Sequence, residues 1–153
     1  MRILLLTLVA SGVLATSAAA MQVGTATGVA TPNRAGARPA GLKISLGLNL
    51  RCAKPAPTAI VVALPKAWRV PKQVALTAIW IDSSHPKAAT VSGRTLTLQP
   101  ISPSGTCNVI APGTITVKFT RAAKLGNPRR AGHYTVRASI GTQNFSTRVS
   151  ISS

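Results

Sequence analysis

The sequence contains almost no acidic residues: Asp82 is the only Asp or Glu among 153 residues. Reactions that depend on two carboxyl groups, such as glycoside hydrolysis, are therefore excluded. A Ser-His-Asp triad would have to combine Asp82 with His85 or His133. However, Asp82 and His85 share one short polar turn, and no Gly-x-Ser-x-Gly motif accompanies them. We interpret Asp82 as a turn residue that binds local backbone amides, and we predict that the protein is not an enzyme.

Residues that bind metal ions are equally scarce. The two histidines, His85 and His133, stand in separate segments, and with Asp82 they would supply three ligands at most. A copper or zinc site would ordinarily draw on His, Met or Cys residues grouped at ligand spacing. We therefore predict neither a metal site nor a cofactor.

Cysteine is limited to Cys52 and Cys107. Residues 1–20 begin with Met-Arg, continue with a short apolar run and end in Ala-Ala-Ala, which is the pattern of a cleaved secretory signal peptide. The alternative is a membrane anchor, but the apolar run is shorter than the roughly 20 residues that a membrane-spanning helix requires. We therefore expect cleavage and a mature protein that is not transmembrane. In an exported chain, two cysteines most simply form one disulfide. The alternative is a pair of free thiols, which alone could not complete a zinc shell.

Helical periodicity is missing after residue 20, and apolar residues instead fall on every second position. The longest alternation runs from Leu42 to Cys52, and the C-terminal region repeats it over residues 114–120, 133–140 and 145–151. This is the period of strands with one buried face. Shorter strands are predicted between these, around residues 58–64, 74–81, 90–91 and 94–98. The sequence therefore predicts an all-β, immunoglobulin-like antiparallel β-sandwich of about seven or eight strands.

A single folded domain is expected from this chain length, and we predict that it spans residues 41–153. Residues 21–40, by contrast, are rich in Gly, Ala, Thr and Pro and contain almost no large apolar side chains. Such a segment cannot bury enough apolar surface to offset the entropy lost when it becomes ordered. We therefore predict a flexible lead-in over residues 21–40.

One stretch resembles a known module. Residues 126–136 read Gly-Asn-Pro-Arg-Arg-Ala-Gly-His-Tyr-Thr-Val. This stretch is similar to the "NP..aG.YTV" stretch of a recurring immunoglobulin-like β-sandwich module in secreted and surface proteins of bacteria, including S-layer-like and adhesin-like chains. The resemblance covers roughly residues 59–151. It implies a structural or adhesive module at the cell surface and carries over no catalytic residues.

Positive charge is what the sequence has in excess: 18 Lys and Arg give a formal net charge of +17 at pH 7. A field of this sign attracts polyanions. Alternation along the predicted strands turns Lys118, Arg137 and Arg148 towards solvent, where they would form a basic stripe if their strands are neighbours. Four more cations would add a basic rim at the connector before the last hairpin: Arg121, Lys124, Arg129 and Arg130.

This basic face has two interpretations. In one, it binds phosphate- or carboxylate-rich polymers such as wall teichoic acid, acidic polysaccharide, anionic lipid or extracellular DNA. In the other, it is a solvated face that protects the strands from aggregation, in a composition that simply favours arginine. Sequence-specific reading of nucleic acid is not expected, because Phe119, Tyr134 and Phe145 are predicted to lie in the core.

The sequence thus predicts an exported, non-enzymatic structural or adhesive protein of the cell envelope. Its expected location is secreted or extracytoplasmic, in association with the envelope, where anionic envelope polymers would be its partners. The alternative is a secreted polyanion-binding protein that uses the basic sheet face as its site.

Overall fold

The fold is taken from a computed structural model, which describes residues 23–48, 59–99, 113–141 and 143–153. The predicted signal peptide, residues 1–20, lies outside these ranges. The described residues form nine strands and two short 3₁₀ helices, Leu76–Ala78 and Arg121–Ala123. The strands are β1 (Val23–Thr31), β2 (Gly41–Leu48), β3 (Ile60–Ala63), β4 (Ile79–Ile81), β5 (Ala88–Ser92), β6 (Thr95–Gln99), β7 (Gly113–Phe119), β8 (Gly132–Ile140) and β9 (Gln143–Ile151). Within these ranges, neither helix has the length or the apolar character needed to cross a bilayer.

Alternating side chains explain why these segments are strands. On β2, Leu42, Ile44 and Leu46 are buried while Lys43 between them is exposed. The other long strands repeat this pattern, so one face of each strand contributes to a single hydrophobic cluster. The all-β prediction is confirmed, and so is the C-terminal hairpin, which β8 and β9 form as an antiparallel pair.

All nine strands belong to one hydrogen-bonded sheet in the order β4-β7-β2-β1-β9-β8-β3-β6-β5. The sheet is curled. It is also mixed, because β1 pairs with β2 antiparallel and with β9 parallel. The predicted immunoglobulin-like sandwich of seven or eight antiparallel strands is therefore wrong in strand number and in connectivity. Alternation in a sequence identifies strands with one buried face, but it does not say which strands are neighbours.

Strand β1 also shows that the predicted flexible lead-in over residues 21–40 is wrong. Its pairing with β2 runs from Thr25 opposite Gly47 to Thr31 opposite Gly41, and Gly24 lies opposite Phe145 of β9. A Cβ at Gly24 would overlap the Phe145 ring, so only glycine allows β9 to pack this closely. Backbone hydrogen bonds on both edges, which composition does not reveal, therefore order this segment.

Cys52 and Cys107 lie outside the described residues, and their disulfide stays a prediction. The strands that flank the two cysteine-containing segments are paired at both ends. Leu48 of β2 is opposite Gly113 of β7, and Ile60 of β3 is opposite Leu98 of β6. These pairs lie in the described residues on either side of the two cysteine-containing segments.

Replacing Gly24 by Ala is expected to lower the free energy of unfolding by roughly 1–2 kcal/mol, since overpacking costs about 1–3 kcal/mol and the reduced freedom of the unfolded chain offsets about 0.4–1 kcal/mol. Urea unfolding followed by tryptophan fluorescence measures the difference. Val29→Thr is the matched control in the same strand, because Val29 is 58% exposed and the change keeps the β-branch. If both variants unfold like the parent, β1 does not pack against β9.

Cys52→Ser is expected to lower the free energy of unfolding by up to about 4 kcal/mol, because the predicted disulfide closes a loop of roughly 55 residues. Reduction of the parent protein should produce the same loss, and reductant should not change the variant further. Alkylation followed by mass measurement without reduction should label no thiol. Two labelled cysteines in the folded parent would rule out the bond.

Candidate functional site

The cations predicted to form a basic stripe and rim are all exposed. Lys118 lies on β7, Arg137 on β8 and Arg148 on β9, and each points away from the core. Of the predicted rim, Arg121 opens the second 3₁₀ helix and Lys124 follows it. Arg129 and Arg130 stand in the loop before β8. The predicted orientation of these side chains agrees with the structure, whereas their predicted arrangement does not.

Arg137 and Arg148 form one compact patch on the outer face of the sheet. Arg137 is opposite Ser146 and Arg148 is opposite Thr135, so the two arginines are diagonal neighbours across β8 and β9. Diagonal neighbours are about 7–8 Å apart, which is within reach of long side chains. The two guanidinium groups therefore share one area of surface with two hydroxyl groups.

Lys118 does not belong to this patch. Strands β2 and β1 lie between β7 and β9, so the three strands are not neighbours and the condition for a single stripe is not met. Three strand spacings of about 4.8 Å place β7 about 14 Å from β9, measured along the sheet. The outer face thus carries two separate groups of cations, one on β8 and β9 and one on β7 and β2.

The second group is built on a pair of lysines. Lys118 lies directly opposite Lys43 of β2, and its other neighbour is Trp80 of β4. Opposite residues in an antiparallel pair have Cβ atoms about 4.5–5.5 Å apart, and like charges in such a pair destabilise the sheet. The charge cannot be balanced by side chains of this protein, because Asp82 is its only acidic side chain. The Oδ1 atom of Asp82 accepts the Thr116 N–H at 2.8 Å.

A cleft opens beside this pair, over Gly41 at the start of β2. Its volume is ≈ 300 Å³. Lys43, Lys118 and Arg121 contribute three positive charges to its walls, and Thr31 contributes a hydroxyl group. The complete lining is Thr31, Gly41, Leu42, Lys43, Lys118, Phe119, Thr120 and Arg121. We call this feature the Gly41 cleft. It is a concave site whose lining combines three cationic side chains with a largely apolar surface.

The Gly-Asn-Pro stretch has a structural role in the loops near the other cations. Asn127 is buried, and its Nδ2 donates to the carbonyl oxygens of Pro32 at 2.7 Å and Arg34 at 2.9 Å. Its backbone N–H donates to the carbonyl of Ala37. Asn127 therefore ties the segment that follows β1 to the loop that precedes β8.

This loop region carries further cations. The Tyr134 hydroxyl donates to the Arg130 carbonyl at 2.8 Å and fixes the corner that presents Arg130. A Cβ on Gly126 would lie 3.2 Å from Arg69 Cβ and 3.7 Å from Arg38 Cδ, so the stems of both arginines cover that glycine. Charged groups on long apolar stems commonly cover backbone in this way. We treat these cations as a basic surface.

Sequence reasoning missed Lys43, Arg38 and Arg69. Lys43 occupies an outward position in the clearest alternating run of the sequence, so its exposure was predictable. Its pairing with Lys118 was not, because strands far apart in the chain form that pair. Arg38 and Arg69 lie in irregular segments, where no periodicity indicates which way a side chain points.

The residues considered for chemistry each have a hydrogen-bond partner: His85 and Asp82 bind backbone groups, and His133 Nδ1 lies 2.9 Å from the Ser150 hydroxyl. His85 Nδ1 donates to the Ile79 carbonyl at 2.7 Å, and its ring packs on Trp80 with 4.0 Å between centroids. Asp82 was predicted to bind local amides, but the amide it accepts from belongs to Thr116 on β7, a strand distant in sequence. In the part of the chain that the structure describes, no group of three or more His, Cys, Asp or Glu residues is placed to hold a metal ion.

Comparison with known proteins gives a fold relationship and no family. No protein-family model matches the chain, and no curated protein matches it in sequence. Among solved structures, the fold is similar to the crystal structure of BslA, described as a bacterial hydrophobin. The likeness covers 83% of this chain and 98% of that chain, with a TM-score of 0.53 and 14% sequence identity. At this identity the likeness concerns the fold alone.

Lys43→Thr is expected to raise the free energy of unfolding by roughly 0.5 kcal/mol at low salt, because it removes the charge opposite Lys118 and adds a β-branched residue. Thermal unfolding should show a rise of about 1–3 °C that shrinks in high salt, where the repulsion is screened. Lys66→Thr, in an exposed turn, removes the same charge elsewhere. A loss of stability in Lys43→Thr, or an equal gain in Lys66→Thr, would argue against direct repulsion between the two lysines.

Proposed function

We propose that the protein is an exported, non-enzymatic structural protein of the bacterial cell surface, which associates with anionic envelope polymers through its basic outer face. The observation that carries the proposal is the fold, which resembles that of a bacterial hydrophobin over nearly the whole length of that protein. The signal-peptide pattern of residues 1–20 supports export. The resemblance of residues 126–136 to a module of bacterial surface proteins supports the same location.

Charge supports the choice of partner. A chain with 18 cations and one carboxylate cannot neutralise its own surface. Alternation places four cations on the outer face of the sheet, namely Lys43, Lys118, Arg137 and Arg148. The side chains of the inner face pack in the core. The cations are therefore free to interact with external anions. Each contact with a phosphate of a polyanion releases condensed counterions, so such binding weakens as salt rises.

The structural part of the proposal rests on how the sheet is built. The inner faces of the strands pack into one core, and its largest fully buried apolar side chains come from β2, β3, β4, β6 and β7 as well as the loop before β8. A core of this kind keeps the outer face in place without help from the outer side chains. The protein can therefore present repelling cations on a stable surface.

Co-sedimentation of the mature, oxidised protein with isolated cell envelopes tests the proposal. We expect binding that falls steeply with salt. Arg137→Ser combined with Arg148→Ser should weaken binding several-fold at low salt. The double variant should also reduce the slope of log binding constant against log salt concentration by the contribution of about two phosphate contacts. Lys66→Ser combined with Lys72→Ser removes the same charge from an exposed loop and serves as the control.

The outcomes separate the two parts of the proposal. Binding that does not change with salt would contradict the electrostatic attachment and favour an adhesive contact with one specific partner. A protein that fails to sediment at any salt would contradict attachment to the envelope altogether.

A second candidate is a secreted polyanion-binding protein that works free of the envelope. The two separate groups of cations on one sheet face favour it, because a long polymer could contact both. Fractionation of a culture distinguishes the candidates. Recovery in the medium, together with tight binding to sodium polyphosphate in solution, would favour this second candidate over the structural role.

A further inference from the structure

We infer that the Gly41 cleft is a binding site for a phosphate group of an anionic envelope polymer, held by Lys43, Lys118 and Arg121. The inference rests on the proposed association with such polymers and names the place on the outer face where one phosphate is recognised. The outer face otherwise supplies attraction without selectivity.

The cleft brings several positive charges close together. Lys43 and Lys118 lie directly opposite each other on paired strands, and the repulsion between their like charges destabilises the sheet. Arg121 adds a third positive charge to the same cleft. Asp82 is the only acidic residue of the chain, and one carboxylate that already accepts a backbone N–H cannot balance three cations. An external anion with more than one negative charge would remove this repulsion.

The cleft also differs in shape from the other group of cations on the outer face. The patch of Arg137 and Arg148 lies on paired strands of the outer face, whereas Lys43 and Lys118 line a concavity of ≈ 300 Å³. This volume is at the lower end of the range for small-ligand sites. It accommodates a phosphate together with the polyol or sugar unit attached to it. Gly41 contributes no side chain to fill the cleft.

The donor groups that line the cleft come from different parts of the fold. The cations come from two strands and from the 3₁₀ helix, and Thr31 adds a hydroxyl group, while the Thr120 hydroxyl already donates to the Ala78 carbonyl at 3.2 Å. Donors that come from several elements suit a tetrahedral anion, whose oxygens point in different directions. A planar carboxylate is matched best by one arginine fork in its own plane. A terminal phosphomonoester of such a polymer also carries about 1.5–2 negative charges at pH 7, and it is this end group, not an internal phosphodiester, that matches the charge of the cleft. The cleft therefore favours phosphate over carboxylate.

The test is an NMR titration of the ¹⁵N-labelled mature protein at constant ionic strength, with glycerol phosphate as the probe and acetate as the comparison. We expect saturable amide shifts at Gly41, Thr120 and Arg121 with glycerol phosphate, and affinity at least tenfold weaker for acetate. Lys43→Ser combined with Lys118→Ser should weaken glycerol phosphate binding at least tenfold. Lys66→Ser combined with Lys72→Ser should leave it unchanged.

Folding of the variants is checked by the same amide spectra, and Lys43→Thr alone provides a second variant that retains Lys118. Shifts scattered over all exposed cations, or equal affinity for acetate, would overturn the phosphate site. If glycerol phosphate causes no shifts while envelope binding still falls with salt, the cleft is overturned and the proposed function stands. If envelope binding is absent as well, both are overturned. Saturable shifts at the cleft that disappear in both lysine variants support the site.

Discussion

The structure depends on the position of β1 between β2 and β9. Without β1, the strands would separate into β4-β7-β2 and β9-β8-β3-β6-β5, which share no other hydrogen-bonded contact in this strand order. The small residues of β1 make this position possible: a Cβ at Gly28 would lie 2.9 Å from methyl groups of both Thr147 and Val149. A strand that contributes little apolar surface of its own thus allows two larger groups to close around one core.

The same alternation that builds the core creates the surface. The period that buries Leu42 and Ile44 leaves Lys43 exposed, and the period that buries Val117 and Phe119 does the same for Lys118. Burial of each large apolar side chain is worth about 1.5–3 kcal/mol, which exceeds the roughly 1 kcal/mol scale of a repelling pair on the surface. The fold can therefore hold two lysines opposite each other, and their charge remains available to an external anion.

Prediction from sequence succeeded where a segment specifies its own structure. β2, β7, β8 and β9 each contain large apolar residues at every second position, and that pattern alone requires strands with one buried face. It failed where structure comes from distant partners. β1 consists mainly of Gly, Ala, Thr and Val, and its order derives from β2 and β9, which no local pattern reveals.

The candidate site shows the same division. The outward orientation of Lys118, Arg137 and Arg148 follows from alternation and agrees with the structure. Their grouping depends on strand order, which is why Lys118 belongs with Lys43 and not with the two arginines. A cleft formed by side chains of β1, β2, β7 and a 3₁₀ helix can be found only when those elements are placed together.

The two edges of the sheet have a consequence for how copies of this protein could assemble. The edge strands are β4 and β5, which have only 3 and 5 residues, while the 9-residue strands lie inside. Exposed strand edges promote the joining of sheets between chains, and short edges limit it. Two copies that met at these edges would therefore share few main-chain hydrogen bonds, and a more extensive contact between copies would have to use the faces of the sheet.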